Sequence, residues 1–189
     1  MAKLFYYDVE TTGVDYRRNG IHQISAIIEI NGEEVEQINY KVQPNPKALI
    51  TEEAMKIGCV TQEQIMQYPA MGLVYTELIS ILEKYVSKYD KTQKFHLVGY
   101  NNRSFDDKFF RAWFVQNGDK YFGSWFWSDS IDVLSLASNR LKEDRYLMKN
   151  FKLSTVAEVF AIDVKDESLH DASYDIYLTK EIYKKVQEL

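Results

Sequence analysis

The sequence predicts an α/β protein, and three observations lead to this prediction. Short runs rich in β-branched and aromatic residues alternate with stretches whose apolar residues recur at helical spacing. The 189 residues, 46% of them hydrophobic, are enough for one sizeable core and few for two. Because no repeat, low-complexity stretch or linker interrupts the alternation, we expect a single domain over residues 1–189.

Three strands are predicted at the start of the chain. Residues 3–8 form an apolar and aromatic run typical of a buried strand, and residues 21–30 and 35–42 are β-branched and partly alternating. Asn31 and Gly32, between the last two runs, are typical of a tight hairpin turn. We therefore expect the second and third strands to pair in the antiparallel sense.

Helices are predicted after this hairpin. A short helix is expected over residues 51–58 with Thr51 as its N-cap. Thr61 and Gln64 have the spacing of a capping box, which indicates a second helix start. A longer amphipathic helix is expected over residues 72–88.

The rest of the chain continues the same alternation of strands and helices. The predicted elements are a strand at 94–100, a helix at 104–118, a fifth strand or extended segment at 121–127, and helices at 130–140, 153–162 and 171–189.

Composition excludes several classes of protein. A net charge of −5 argues against a protein whose entire surface binds nucleic acid through positive charge. A local strip of basic residues is still compatible with this charge. The single cysteine, Cys59, can form no internal disulfide and no thiolate metal cluster. No apolar run approaches the length of a membrane span, and no signal peptide is evident. We therefore expect a soluble, cytoplasmic protein that has no membrane association.

Two acidic residues stand at the edge of the first predicted strand. In an extended chain, positions i and i+2 share a face, so Asp8 and Glu10 can aim two carboxylates at one point. Oxygen ligands of this kind suit Mg²⁺ or Mn²⁺. For an isolated pair, the simpler interpretation is that Asp8 caps a turn while Glu10 is solvated.

Further acidic residues favour a metal site over this simpler interpretation. Asp106 follows the fourth predicted strand, and His170 and Asp175 stand at the entry of the last predicted helix. Four carboxylates in three separate segments, each at the end of an element, are what a two-metal site requires.

These segments resemble the three motifs of the DEDDh exonucleases, the group that includes the proofreading subunits of bacterial replicases and the oligoribonucleases. "DVETTG" (8–13) matches the first motif, "NNRSFD" (101–106) is similar to the second, and "HDASYD" (170–175) resembles the third. Asn101 stands where the family commonly has histidine, which puts any role of that side chain in doubt. The histidine five residues before Asp175 indicates the histidine branch of the group.

The resemblance implies a ribonuclease H-like fold, with a mixed five-stranded sheet flanked by helices on both faces. It also implies a metal-dependent 3′–5′ exonuclease that releases nucleoside 5′-monophosphates. Two divalent ions, Mg²⁺ or Mn²⁺, would be held by Asp8, Glu10, Asp106 and Asp175. His170 would complete the catalytic set as general base, since its pKa suits proton removal from water near neutral pH.

The resemblance also suggests which residues contact the substrate. Thr11, Thr12 and Gly13 would line the pocket of the terminal nucleotide, and Asn102 and Phe105 could approach the strand. A simple turn at 11–13 and a core position for Phe105 are the structural alternatives.

The expected substrate is DNA with a single-stranded or frayed 3′ end, in replication or repair. The alternatives are an RNA 3′–5′ exonuclease such as an oligoribonuclease, because the motifs do not select the sugar, and a non-catalytic binding or assembly module. A role in proofreading would require a protein partner, and the sequence does not fix the oligomeric state.

Several acidic, histidine, aromatic and basic residues outside the assigned site are expected to have structural roles. Asp107 and Asp171 are expected to be solvent-exposed or to cap helices, and His22 and His96 to be packed or hydrogen-bonded. Most rings of the aromatic run at 121–127 are expected to pack in the core, and stacking on single-stranded bases is the alternative. The Lys and Arg residues of 140–152 form either a basic strip for a phosphate backbone or a solvated helix end.

Overall fold

The computed structural model describes residues 2–165 and 171–188. The described strands are, in chain order, β1 (Lys3–Thr11), β2 (Ile21–Ile30), β3 (Glu33–Lys41), β4 (His96–Gly99) and β5 (Ile131–Asp132). The described helices are α1 (Glu52–Ile57), α2 (Gln62–Ile65), α3 (Met71–Tyr85), α4 (Asp106–Gln116), α5 (Val133–Arg140), α6 (Leu153–Val159) and α7 (Ala172–Gln187).

The strands form one mixed sheet in the order β3-β2-β1-β4-β5. β1 lies at the centre, antiparallel to β2 and parallel to β4. The β2–β3 pair is antiparallel, and the β4–β5 pair is parallel. The predicted mixed five-stranded sheet is therefore confirmed, and the carboxyl ends of β1, β4 and β5 share one edge.

Helices cover both faces of this sheet, and successive side chains of β1 enter the cores on alternate faces. Phe5, Tyr7 and Val9 enter the core that includes α3 and α4. Tyr6 points to the opposite face, into the core that includes α5, α6 and α7. This period of two places successive side chains of β1, up to Glu10, on alternate faces of the sheet.

The β2–β3 hairpin turns as the sequence predicts. Asn31 and Gly32 have φ angles of 54° and 88°, the left-handed values that a two-residue turn of this type needs. The predicted caps are also present. Thr51 accepts a hydrogen bond from the N–H of Ala54, and Thr61 and Gln64 form the reciprocal bonds of a capping box.

The fifth strand lies later in the chain than predicted. Residues 121–127 contain a 3-10 turn at Phe122–Ser124 and a single bridge between Phe126 and Phe95, whereas β5 is Ile131–Asp132. Phe122, Trp125 and Phe126 are nonetheless buried in the core beside α4, which confirms the core prediction for most rings of this segment, whereas Tyr121 is 75% exposed. Burial thus explains the apolar run without a strand.

No helix among the described ranges is long and apolar enough to cross a bilayer. The cytoplasmic location stays a prediction.

Candidate active site at the carboxyl end of the central strand

Two of the predicted acidic residues lie on one face of β1. Asp8 pairs with Ser25 and Glu10 with Gln23 across the β1–β2 ladder, whose register shifts only after Glu10. The strand thus keeps its alternation through both acids, and their side chains lie on the same face as Tyr6, the face that α7 covers. Both side chains are half-buried. The strand continues to Thr11, beyond the predicted end at residue 8.

Asp106 comes to β1 from the neighbouring parallel strand. It begins α4 after the loop that follows β4, two residues later than the predicted helix start. Its side chain is buried, and its Oδ1 lies 3.4 Å from the backbone N of Val9, at long hydrogen-bond range. The Asp106 carboxylate therefore sits against β1 between the positions of Asp8 and Glu10.

Asp175 is brought to the same place by α7. Asp171 caps this helix by accepting a hydrogen bond from the N–H of Ser173 at 2.9 Å, which confirms the predicted capping role. The helix packs on the sheet through Tyr183, whose ring centroid lies 5.9 Å from that of Tyr6. Asp175, in the first turn, is close enough to raise the pKa of Asp8 and of Glu10.

The carboxylates raise one another's pKa. Burial raises the pKa of Asp8 well above its usual value, and Asp106, Glu10 and Asp175 add to the rise. Burial and Asp175 raise the pKa of Glu10 to about 7, against a lowering by Lys41. Burial also raises the pKa of Asp106 to about 7, although the N–H of Val9 opposes the rise. Three segments distant in sequence thus gather negative charge in a region of low dielectric, which is unfavourable without a cation.

The donor set fits a hard divalent cation. In the described part of the chain, no three or more His, Cys, Asp or Glu side chains meet in a way that could hold a metal ion by themselves. Mg²⁺ does not need such a cage, because it keeps several waters and binds through one or two carboxylates together with substrate phosphates. Carboxylates whose pKa values are raised by one another suit a cation of this kind. His170 lies outside the described residues.

The loop after Glu10 is held by Thr12 and Asn19. The Thr12 hydroxyl donates to the carbonyl of Leu49 at 2.6 Å and accepts from the N–H of Gly20 at 2.9 Å. Asn19 donates to the same Leu49 carbonyl at 2.7 Å. A Cβ on Gly13 would lie 2.5 Å from the Asn19 side chain, so only glycine permits this packing.

A cleft of about 730 Å³ opens beside Glu10. Among the predicted substrate residues, Thr11, Gly13 and Phe105 line it. Thr12 and Asn102 are fully buried and are not among its lining residues. Its other walls include Leu49, Ala54 and Ile57, which lie in or before α1.

Asn101 has a left-handed backbone with φ of 61°. Asparagine is among the residue types enriched in this conformation. The Asn101 N–H donates to Asp132 at 2.9 Å, and its side chain accepts from the hydroxyl of Ser104 at 2.6 Å. Arg103 is bound to the carbonyl of Ser130.

Asp107 contradicts the prediction of exposure or capping. Its carboxylate is buried and accepts hydrogen bonds from the Tyr7 hydroxyl, from the Ser130 hydroxyl at 2.6 Å and from the Asn102 amide at 3.3 Å. The prediction was wrong because α4 begins at Asp106, so that Asp107 faces the sheet rather than solvent. The residue ties β1, the loop before α4 and the segment before β5 together.

The predicted histidines outside the site pack as expected. His22 is 1% exposed, and burial lowers its pKa to about 4. His96 is half-buried, with its ring 6.1 Å from that of Trp127.

Sequence reasoning missed the residues that support the site. Asn19, Leu49 and Ser130 belong to none of the three motifs, and they reach the site through contacts between segments far apart in the chain. A short polar residue before an expected strand is too common a pattern to single out Ser130 or Asn19.

Comparisons with known proteins agree with the motifs. Residues 5–183 match the model of the RNase_T family, described as exonuclease. The chain is 25% identical over 188 residues to the PolC-type DNA polymerase III of Thermotoga petrophila and 27% identical over 177 residues to that of Mycoplasmopsis pulmonis. These matches cover 100% and 94% of this chain, but 12% and 11% of the two relatives.

Solved structures show the same fold. The exonuclease I of E. coli, in complex with a dT13 oligonucleotide, superposes with a TM-score of 0.78 at 20% identity over 100% of this chain and 41% of that chain. The exonuclease I of Methylocaldum szegediense gives 0.77 at 21% identity, over 100% and 41%. The predicted ribonuclease H-like fold is therefore confirmed.

Proposed function

Because the chain belongs to the RNase_T exonuclease family, we propose that it is a metal-dependent 3′–5′ exonuclease acting on single-stranded or frayed DNA ends. The products would be nucleoside 5′-monophosphates. One observation carries the proposal: carboxylates from β1, α4 and α7 gather beside a cleft of nucleotide size, where Asp106, Glu10 and Asp175 add to the raised pKa of Asp8.

Asp8, Glu10, Asp106 and Asp175 are the proposed ligands of two divalent cations, Mg²⁺ or Mn²⁺. When bound, such cations supply a water of lowered pKa and positive charge for the phosphate oxygens. The zinc-bound complex of E. coli exonuclease I with single-stranded DNA supports the need for a divalent metal. The contact with the backbone N–H of Val9 holds the Asp106 carboxylate near the carboxyl end of β1, where the scissile phosphate of the substrate would lie.

His170 is the proposed general base. A neutral imidazole can take a proton from the attacking water near neutral pH. Its place one residue before the N-cap of α7 puts it close in sequence to Asp175.

The cleft would orient the terminal nucleotide. Thr11 and Gly13 form its wall next to Glu10, and the Phe105 ring offers an aromatic surface for a base or a sugar. Thr12 and Asn102 would act on the substrate indirectly, by fixing the loops on which Thr11 and Phe105 stand.

DNA is the preferred substrate in this proposal for two reasons. The relatives are PolC-type DNA polymerases, and the E. coli exonuclease I structures contain DNA oligonucleotides. A proofreading role would place the chain beside a polymerase, as a partner or as part of a longer protein.

The test uses 5′-labelled single-stranded DNA and RNA of identical sequence, incubated with Mg²⁺, Mn²⁺ or EDTA. We expect products that shorten from the 3′ end with either metal and none in EDTA, with DNA degraded faster. Asp175→Asn should remove this activity, while Asp144→Asn, which changes an exposed carboxylate, should retain it. Absence of shortening on both substrates would overturn the proposal, and faster degradation of RNA would overturn the choice of DNA.

A further inference from the structure

A basic groove lies on the outer surface of α4. It has a volume of about 430 Å³ and is lined by Tyr16, Arg17, Lys108, Arg111, Ala112, Val115 and Gln116. Lys108, Arg111 and Val115 recur at helical spacing, so they form one stripe along the helix. Val115 is 56% exposed, although it is apolar.

The charge of this groove is opposite to that of the chain. The protein carries a net charge of −5, yet the lining residues within the described ranges include three cations and no acid. Among the described residues, none of the three cations forms a salt bridge. Two of them rest on aromatic rings instead: the Arg17 guanidinium lies 5.0 Å from the Tyr16 ring and that of Arg111 lies 4.4 Å from the Phe122 ring.

Such contacts hold a guanidinium in place without neutralising it. Its hydrogen-bond donors then remain available for a phosphate. The groove therefore combines fixed positive charge with the half-buried ring of Tyr16 and the exposed side chain of Val115, a combination that suits single-stranded nucleic acid.

The groove lies next to the active-site cleft. Asp15 and Arg18 line the cleft, and Tyr16 and Arg17, which stand between them in the chain, line the groove. The two sites are also joined beneath the surface, because the buried Phe109 ring lies 4.9 Å from that of Phe105 and 6.5 Å from that of Tyr16. Asp106 and Arg111 stand on the same helix, about 7.5 Å apart along its axis.

We propose that this groove binds the phosphate backbone of the DNA strand just upstream of the nucleotide held in the cleft. Arg17, Lys108 and Arg111 contact the phosphates, and Tyr16 and Val115 contact sugars or bases. The inference rests on the proposed exonuclease function, because the cleft fixes where the 3′ end lies.

The test compares a long substrate with one that reaches only the cleft. The double variant Arg17→Glu/Lys108→Glu is assayed on a single-stranded DNA of about twenty nucleotides and on the p-nitrophenyl ester of thymidine 5′-monophosphate. Because charge reversal repels two phosphates, we expect the KM for the oligonucleotide to rise at least about tenfold, with the ester hydrolysed at the wild-type rate. The slope of log KM against the logarithm of the salt concentration should fall by about 1.4, since two phosphate contacts are lost and each contributes roughly 0.7 to the slope on a single strand.

The matched control is Lys91→Glu/Lys120→Glu, which makes the same charge change at two exposed lysines. Lys91 precedes β4 and Lys120 follows α4, so both lie toward the opposite end of these elements from Asp106. An unchanged KM for the oligonucleotide in the groove variant would overturn the inference. An equal loss on the oligonucleotide and the ester, or an equal effect of the control, would also overturn it.

Failure of the proposed function has a different signature. A wild-type protein that hydrolyses neither substrate would refute the exonuclease. The groove would then be tested by fluorescence anisotropy of the labelled oligonucleotide in EDTA, where wild-type affinity in the groove variant would overturn the inference.

Discussion

At the scale of single residues, the raised pKa values of the acidic cluster make stability depend on pH. In the metal-free protein, the pKa values of Glu10 and Asp106 are about 7, against ordinary values of 4.5 and 3.8. Between about pH 4 and pH 7 the folded state therefore holds protons that the unfolded chain has released. It follows that the free energy of unfolding falls as the pH rises through this window, and that the contribution is constant above it.

This dependence can be measured by urea unfolding in EDTA at about pH 5 and about pH 7. Wild type should lose more stability between the two pH values than Asp106→Asn, because the variant has one carboxylate fewer to ionise. Identical pH slopes for the two proteins would contradict the assigned electrostatics.

Asp107 is a supporting residue rather than an exposed one. Asp107→Ala leaves the hydroxyls of Tyr7 and Ser130 without their buried acceptor. We expect the free energy of unfolding to drop by about 2–3 kcal/mol, the cost of unsatisfied buried donors. Chemical denaturation measures the change, and Asp144→Ala, at an exposed position, serves as control and should stay within about 0.5 kcal/mol of wild type. Equal stabilities of the two variants would argue against the network.

Residue-scale features were the hardest to predict from sequence. The i and i+2 positions of Asp8 and Glu10 predict a shared face, because the period of a strand is fixed. The orientation of Asp107 depends on the residue at which α4 begins, and a shift of two residues rotates a side chain by about 200° around the helix. Sequence patterns locate helix ends to within only a few residues.

At the scale of elements, α7 matters because it carries Asp175. Lys180, on the same helix, is 3% exposed and forms ion pairs with Glu29 at 2.9 Å and with Glu34 at 2.5 Å. These pairs fasten α7 to the β2–β3 hairpin. The position of one proposed metal ligand therefore depends on a buried ion pair in a different part of the sheet.

Lys180→Met should lower the free energy of unfolding by about 3 kcal/mol, because it leaves the buried Glu29 without its cation. Lys184→Met, on the same helix, removes only an exposed pair with Glu181 and should cost less than about 1 kcal/mol. Thermal or urea unfolding of both variants measures the contrast. Similar losses in the two variants would show that the Lys180 pairs do not hold the helix.

Elements differed in how well the sequence predicted them. The hairpin at Asn31-Gly32 and the capping box at Thr61 were predicted correctly because their turn and cap chemistry is local. The position of β5 was predicted wrongly for two reasons. The strand has only two residues, which is too short to show any periodicity. The aromatic residues at 121–127 have the composition of a strand, but they form a turn.

At the scale of the whole molecule, the order of the strands brings the site together. The parallel β1–β4 pair places the start of α4 beside the end of β1, and α7 crosses the face on which Asp8 and Glu10 lie. The sequence could predict this convergence only through the three motifs of the family, because periodicity alone does not specify which strands are neighbours. The basic groove on α4 likewise exists only once Arg17 and α4 are adjacent.

Calorimetric titration of Mn²⁺ into the protein, in the presence of thymidine 5′-monophosphate, tests most directly whether the carboxylates form a cation site. We expect wild type to bind Mn²⁺ with release of protons from the carboxylates, and Asp106→Asn to lose at least about tenfold in affinity. Equal affinity and equal proton release in wild type and Asp106→Asn would contradict the claim that these carboxylates form the cation site.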